Sequence, residues 1–251
     1  MSGLFEVFGS STVVDPIPKA ILVDDLLHGL RIDGRDANTG EYPDSIEQQL
    51  VNAYATMRDS VEAAGASVDN IGQVSFYLQN FDHRMLINDP WNEMFTNSED
   101  RPTYKFMPAE LPGEQLVHME YFAVPGARRR DLHVQGVAHT NPIPMAVQIG
   151  RYVFSSRMLP YDPATEKAAE TTEAQADFIF QHAKQILDDA GFSWSDVVQG
   201  RGFFVQEDMY SLISSRWADR FPDEASRPPL HPIRYGAGGL QVMLEFIARK
   251  G

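Results

Sequence analysis

The stretch Trp91-Asn92-Glu93-Met94-Phe95, followed by Arg101-Pro102, returns later in the chain as Trp217-Ala218-Asp219-Arg220-Phe221 and Arg227-Pro228. Positions 91 and 217 are 126 residues apart, and the offset holds upstream. Ala64-Gly65-Ala66-Ser67 meets Ala190-Gly191-Phe192-Ser193, and Gln73 meets Gln199. A register shared by Gly, Trp, Phe and Arg-Pro points to two fused copies of one domain, because the period is too long for a solenoid.

The 251 residues then divide into halves of about 125, near the commonest domain size. Hydrophobic residues make up 43% and charged residues 22% of the chain, a globular composition. A formal charge of -14 disfavours nucleic acid and anionic membrane surfaces as partners, since both call for a basic face. With no cysteine there is no disulfide framework, thiol nucleophile or thiolate metal site, and a reducing cytoplasm fits. Neither a signal peptide nor an apolar run of spanning length is expected.

Taken in order, residues 1–19 read as a leader that adds an edge strand, 20–125 as the first domain, 126–131 as a connector and 132–251 as the second domain. Alternation from Ala20 to Ile32 around Asp24-Asp25 predicts a strand hairpin. Ser45 with Gln48 starts a helix whose face holds Ile46, Leu50, Tyr54, Met57 and Val61, and Gly65 ends it. Thr172 with Gln175 does the same in the second half, ahead of Ile179, Ala183, Ile186, Leu187 and Ala190. Trp91/Phe95 and Trp217/Phe221, four apart, are core residues of a second helix in each half. The run Arg128-Arg129-Arg130 reads as a solvated connector, and Gly236-Ala237-Gly238-Gly239 as a turn. Each half becomes β-β-α-β-α-β with one more strand before the last, an α+β fold with helices on one face of the sheet. Along the last strands Val117, Met119, Tyr121 and Ala123 make an apolar face; His118, Glu120 and Phe122 make a mixed one that suits a buried interface or a pocket floor.

These words resemble the RidA (YjgF/YER057c/UK114) family. The likeness rests on Ala64-Gly65, Ile87-Asn88 before the Trp/Phe helix, Arg101-Pro102 and Met119-Glu120-Tyr121-Phe122-Ala123. In the second half it rests on Ser155-Ser156-Arg157-Met158-Leu159-Pro160 running to Thr165. The resemblance implies two tandem chorismate-mutase-like domains, each a mixed sheet with two helices on one face. It implies three-fold rings with ligand clefts between neighbouring domains, hence a homo-oligomer of three two-domain chains. The activity it implies is cofactor-free hydrolysis of enamines and imines such as 2-aminoacrylate, with aminomuconate deaminases among the relatives. The family's Pro-Ala-Arg-Ser word supplies an arginine for the substrate carboxylate. Here Pro102-Thr103-Tyr104-Lys105 sets Tyr104, and Pro228-Pro229-Leu230-His231 sets Leu230, in its place. Of the two alternating family glutamates, the first is replaced by His118 and Met243, while Glu120 and Glu245 keep the second.

The candidate site follows from those departures. Arg35 and Arg157 stand beside the pocket loop of each half, Arg35 next to Gly34, and suit an anion as the lost arginine did. His118, Glu120 and Tyr104 are the catalytic candidates, an imidazole and a carboxylate on one strand face being fit to activate water. Lys105, His231 and Glu245 complete the binding set. The expected ligand is a small anionic metabolite. The seven histidines lack metal-binding spacing, so no metal is expected. The function expected is a hydrolytic deaminase on a small anionic amino or imino acid. The alternatives are a hydrolase or lyase acting on a cyclic carboxylate, and a binding protein that has lost the chemistry.

Overall fold

The computed structural model describes residues 6–8, 19–236 and 239–251. Two compact units, Met1–Arg129 and Arg130–Gly251, are each built as an α+β layer. In the first, β1 (Glu6–Phe8), β2 (Ala20–Val23) and β3 (Leu26–Asp33) precede helix α1 (Ile46–Ala63). Strand β4 (Ile71–Leu78), helix α2 (Asn88–Met94), β5 (Thr103–Pro108) and β6 (Val117–Ala123) follow. Their sheet runs β1-β2-β3-β6-β4-β5, with β4 and β5 parallel across α2 and the other pairs antiparallel. The edge strand expected from the leader is β1; the leader's other residues, 1–5 and 9–18, lie outside the described ones.

The second unit contains β7 (Arg129–Leu132), β8 (Ala146–Ile149), β9 (Tyr152–Ser155), the short pair β10 (Tyr161–Asp162) and β11 (Lys167–Ala168), and helix α3 (Thr172–Asp189). Strand β12 (Val197–Phe204), helix α4 (Glu207–Arg220), β13 (Leu230–Arg234) and β14 (Val242–Arg249) complete it. The order is β13-β12-β14-β9-β8-β7, again with one parallel pair, β12 with β13. Helix α3 begins and ends 126 residues after α1, and β12 after β4. One residue is lost before the last strand: Glu120 lies opposite Ser75, while Glu245, 125 further on, lies opposite Arg201.

The repeated words act as local fasteners. The rings of Trp91 and Phe95 meet at a tilt with centroids 4.5 Å apart, those of Trp217 and Phe221 at 4.7 Å, and each Trp is buried against its sheet. The Arg-Pro arginines satisfy a carbonyl left open at the end of the helix: Arg101 Nε donates to Phe95 O at 2.9 Å and Arg227 Nε to Phe221 O at 2.8 Å. A buried glutamine recurs as well. Gln49 donates to Pro43 O and accepts from the Leu116 amide; Gln175 donates to Ala169 O and accepts from the Gln241 amide.

Three local expectations change. The second helix is capped by Thr171, whose hydroxyl accepts from the Ala174 amide, one residue before the expected cap. In the arginine run Arg128 and Arg130 are exposed as a solvated connector would have them, but Arg129 is not. The Arg129 side chain is 1% exposed, bonded to Asp100 at 2.9 Å and to the carbonyls of Val68 and Ile71 at 2.7 and 3.0 Å, so the buried guanidinium is well supplied with acceptors. Arg130 binds Gln148 and the Asp189 carbonyl. In the expected glycine turn, residues 237 and 238 lie outside the described ones.

Candidate functional site

The helix-free face of each sheet carries the polar residues. Side chains alternate along a strand, so in the first unit Val74, Phe76, Met119 and Tyr121 go to the apolar core and Gln73, Ser75, Tyr77, His118 and Glu120 to the other face. Register then groups them into rows. Lys105 pairs with Ser75 and Ser75 with Glu120, so an ammonium and a carboxylate share one row, two strands apart. At about 4.8 Å per strand that separation is about 10 Å, and a serine is the residue between them. In the next row Thr103, Gln73, Phe122 and His28 pair in turn.

Lys105 is 4% exposed and donates to the amide oxygen of Gln73 at 3.2 Å. Tyr77 donates to Glu120 at 3.1 Å and thereby orients it. His28 stacks on Phe122 at 4.2 Å, and its Nε2 is buried with no hydrogen-bond partner. Burial pushes the His28 imidazole below its ordinary value, with Glu120 pulling it up and Lys105 pulling it further down.

The matching row of the second unit is built differently. His231, Arg201 and Glu245 stand where Lys105, Ser75 and Glu120 stand in the first. Arg201 fills the place of the serine and donates to Glu245 at 2.6 Å, so the carboxylate, 1% exposed, is closed into an ion pair. Nearby, the Arg157 guanidinium lies between the Phe203 and Tyr235 rings, 4.5 and 4.4 Å from their centres. Burial lowers the Arg157 value, and Tyr235 and Glu245 raise it. His139 meets Ser156 Oγ at 2.6 Å; burial first, then Arg157, brings its pKa down to about 4. Ser156 spends its proton on the Met145 carbonyl at 2.8 Å, so this contact is not a primed serine nucleophile.

A family model described as Endoribonuclease L-PSP matches residues 32–124 and again 137–237, together more than half the chain. The chain belongs to this family, the RidA family, as a tandem two-domain member. A RutC family protein of Sulfurisphaera tokodaii is 29% identical over 89 residues, 35% of this chain and 69% of that protein. Another from Haemophilus influenzae is 28% identical over 91 residues, 36% and 69% of the two chains. The structure of the Rid family protein YyfA from Yersinia pestis aligns with a TM-score of 0.44 at 19% identity, over 48% of this chain and 99% of its own.

Seen as two RidA domains, the expected site residues separate. Glu120, Lys105 and His118 share the polar face of the first, with the His118 ring 5.9 Å from Tyr77. Tyr104 does not join them. Strand alternation sends it into the core against Phe76 and Trp91, where its hydroxyl donates to Asn88 at 2.5 Å and burial raises its pKa. Thr103 and Lys105, not Tyr104, point to the polar face. Arg35 and Arg157 are not counterparts either: 126 before Arg157 stands Arg31, and 126 after Arg35 stands Tyr161. The structure agrees with that offset, since Met158 bridges Leu244 as Ile32 bridges Met119. Arg35 is 48% exposed and held by Tyr42 at 2.9 Å and Asp33 at 3.4 Å. Gly34 packs against α1; a Cβ there would lie 2.5 Å from that of Gln49. His231 is exposed on edge strand β13. Sequence reading missed His28, Ser75, Tyr77 and Arg201; pairing the strands in register at the repeat offset would have found the last three. Among the described residues no group of three His, Asp or Glu is placed to hold a metal, and no helix is long and apolar enough to cross a membrane.

Proposed function

We propose that the first RidA domain is the working half, a cofactor-free hydrolytic deaminase acting on a small anionic imine or enamine, and that the second is a structural half. One observation carries this reading: the row of Lys105, Ser75 and Glu120 has a serine between its two charges, while its counterpart is closed by the Arg201 ion pair. Lys105 binds the substrate carboxylate as a point charge, in place of the family's arginine fork. Glu120, steered by Tyr77, draws a proton from water as the water oxygen adds to the C=N carbon. The carbinolamine takes that proton on nitrogen, the C–N bond breaks, and a keto acid and ammonia leave. A phosphodiester substrate fits poorly, since the chain's charge of -14 repels polyanions.

In keeping with the family, the reading includes assembly into three two-domain chains and a cytoplasmic setting. It is tested by supplying 2-aminoacrylate, generated in the assay, and measuring ammonia release by the purified protein. Release above the spontaneous rate, lost in Glu120→Gln, is the expected outcome. Silence across a panel of imino acids, alongside saturable binding of a keto acid, would replace it with a binding role.

A further inference from the structure

The imidazole of His28 has no part in the water-activating step above, yet the fold sets it against the same row. It sits on β3 directly opposite Phe122, with its ring stacked on that side chain at 4.2 Å. Glu120 is two residues along the same face of β6, a diagonal neighbour at about 7–8 Å. Among the described residues, the charged and titratable groups on this face include Glu120 and His118 from β6, Asp33 from β3 itself opposite His118, Tyr77 from β4 and Lys105 from β5; β2 offers Ile21 opposite His28. Its Nε2 is buried with no hydrogen-bond partner. An orphaned buried polar atom is costly to keep, so a ligand that reaches it recovers that cost on binding.

Charge distribution says which end of a ligand meets it. Lys105 draws the carboxylate to the β5 side of the face. The reacting nitrogen and the new oxygen then lie toward β6 and β3, where Glu120 and His28 stand. We propose that His28 is a further catalytic residue of the first domain, a neutral imidazole whose Nε2 takes the hydroxyl proton when the carbinolamine collapses. This deepens the deaminase reading and rests on it.

Starting from the protonated imine, Glu120 accepts a proton from water while hydroxide adds to carbon, giving a carbinolamine with an amino group. Glu120 returns that proton to the nitrogen. The C–N electron pair leaves with ammonia, the O–H pair forms C=O, and the hydroxyl proton passes to Nε2. The imidazolium then protonates ammonia, so ammonium departs and His28 is neutral again. Burial holds the imidazole in the neutral form that the step requires.

The test uses the full-length protein and His28→Gln, which keeps polarity and loses basicity. Expected is a fall of about 100-fold in kcat/KM for imine hydrolysis, of the size general acid–base catalysis contributes. The acid limb that protonation of the imidazole gives the wild-type pH profile should be lost. If the wild type releases ammonia and His28→Gln keeps both the rate and the limb, the inference is wrong and the deaminase reading stands. If the wild type itself is silent, both fall. A second measurement needs no variant that folds: nitrogen NMR of the histidine side chains in the wild type with pyruvate added. A saturable shift of the His28 ring is expected, and no shift at saturating pyruvate overturns the inference.

Discussion

Glu245→Gln and Glu120→Gln are the same isosteric change at equivalent places, yet they should act on different properties. In the second domain the carboxylate is 1% exposed and accepts from Arg201 at 2.6 Å, while the Arg201 side chain is 24% exposed. Removing one partner of a buried pair costs about 3–5 kcal/mol because the other charge is stranded. The partial exposure of Arg201 lets water take up some of that, leaving about 2–3 kcal/mol. In the first domain Glu120 is half-buried and accepts from Tyr77 at 3.1 Å, a bond that an amide oxygen in the same place can still accept, so the stability cost is about 0–1 kcal/mol. Amide hydrogen exchange read by mass spectrometry separates the two domains. At 1.4 kcal/mol per decade, Glu245→Gln should speed exchange in β12 and β14 by roughly 30- to 150-fold and leave ammonia release nearly unchanged. Glu120→Gln should leave exchange within about fivefold and cut release by at least about 100-fold. Equal destabilisation by the two changes, or loss of turnover in Glu245→Gln with no change in exchange, would refute the division of labour.

Other expectations follow from the same geometry. Tyr104→Phe removes the hydroxyl bonded to Asn88 and should cost about 1 kcal/mol in urea unfolding without altering turnover, marking Tyr104 as a core residue. Gly34→Ala drives a methyl to 2.5 Å from Gln49 Cβ and 2.7 Å from its carbonyl oxygen, and should destabilise the first domain by about 1–3 kcal/mol in the same experiment. His28, His139 and His182 are all held below the ordinary imidazole value of 6.5, mainly by burial. A folded-state value below the unfolded one means that the unfolded chain binds protons first. Stability from these groups is therefore full above pH 6.5 and falls as the pH drops through 6.5 toward about 4, the folded value of His139. Calorimetry across that range should show a declining melting temperature, with part of the slope removed in His139→Gln; a flat curve would contradict it.

What could be read in advance was whatever depends on local chemistry. The capped helices, the Trp/Phe pairs and the alternating last strands are set by neighbours within a few residues, and the repeat placed them twice. The site was less legible because it is assembled across strands. Which way Tyr104 faces depends on where β5 enters its ladder, and one residue of register exchanges the core for the pocket. Arg35 was mistaken for the counterpart of Arg157 because a motif-like neighbourhood outweighed the repeat offset, which points to Arg31. His28 and Arg201 carry no motif at all; they matter only through what register sets beside them. Arg129 misled in the opposite direction, since a charge run usually stays in water and this one satisfies buried carbonyls instead.

The central claim is that the serine-centred row of the first domain does the chemistry and the row closed by Arg201 in the second does not. The most direct measurement compares ammonia release from a 2-imino acid by Lys105→Met and by His231→Leu, equivalent positions in the two rows. Expected is a loss of at least about 100-fold in kcat/KM for Lys105→Met, mostly in KM, as a lost charge-assisted contact to a carboxylate demands, with His231→Leu within about twofold of the wild type. Equal losses in both, or a loss confined to His231→Leu, would contradict it.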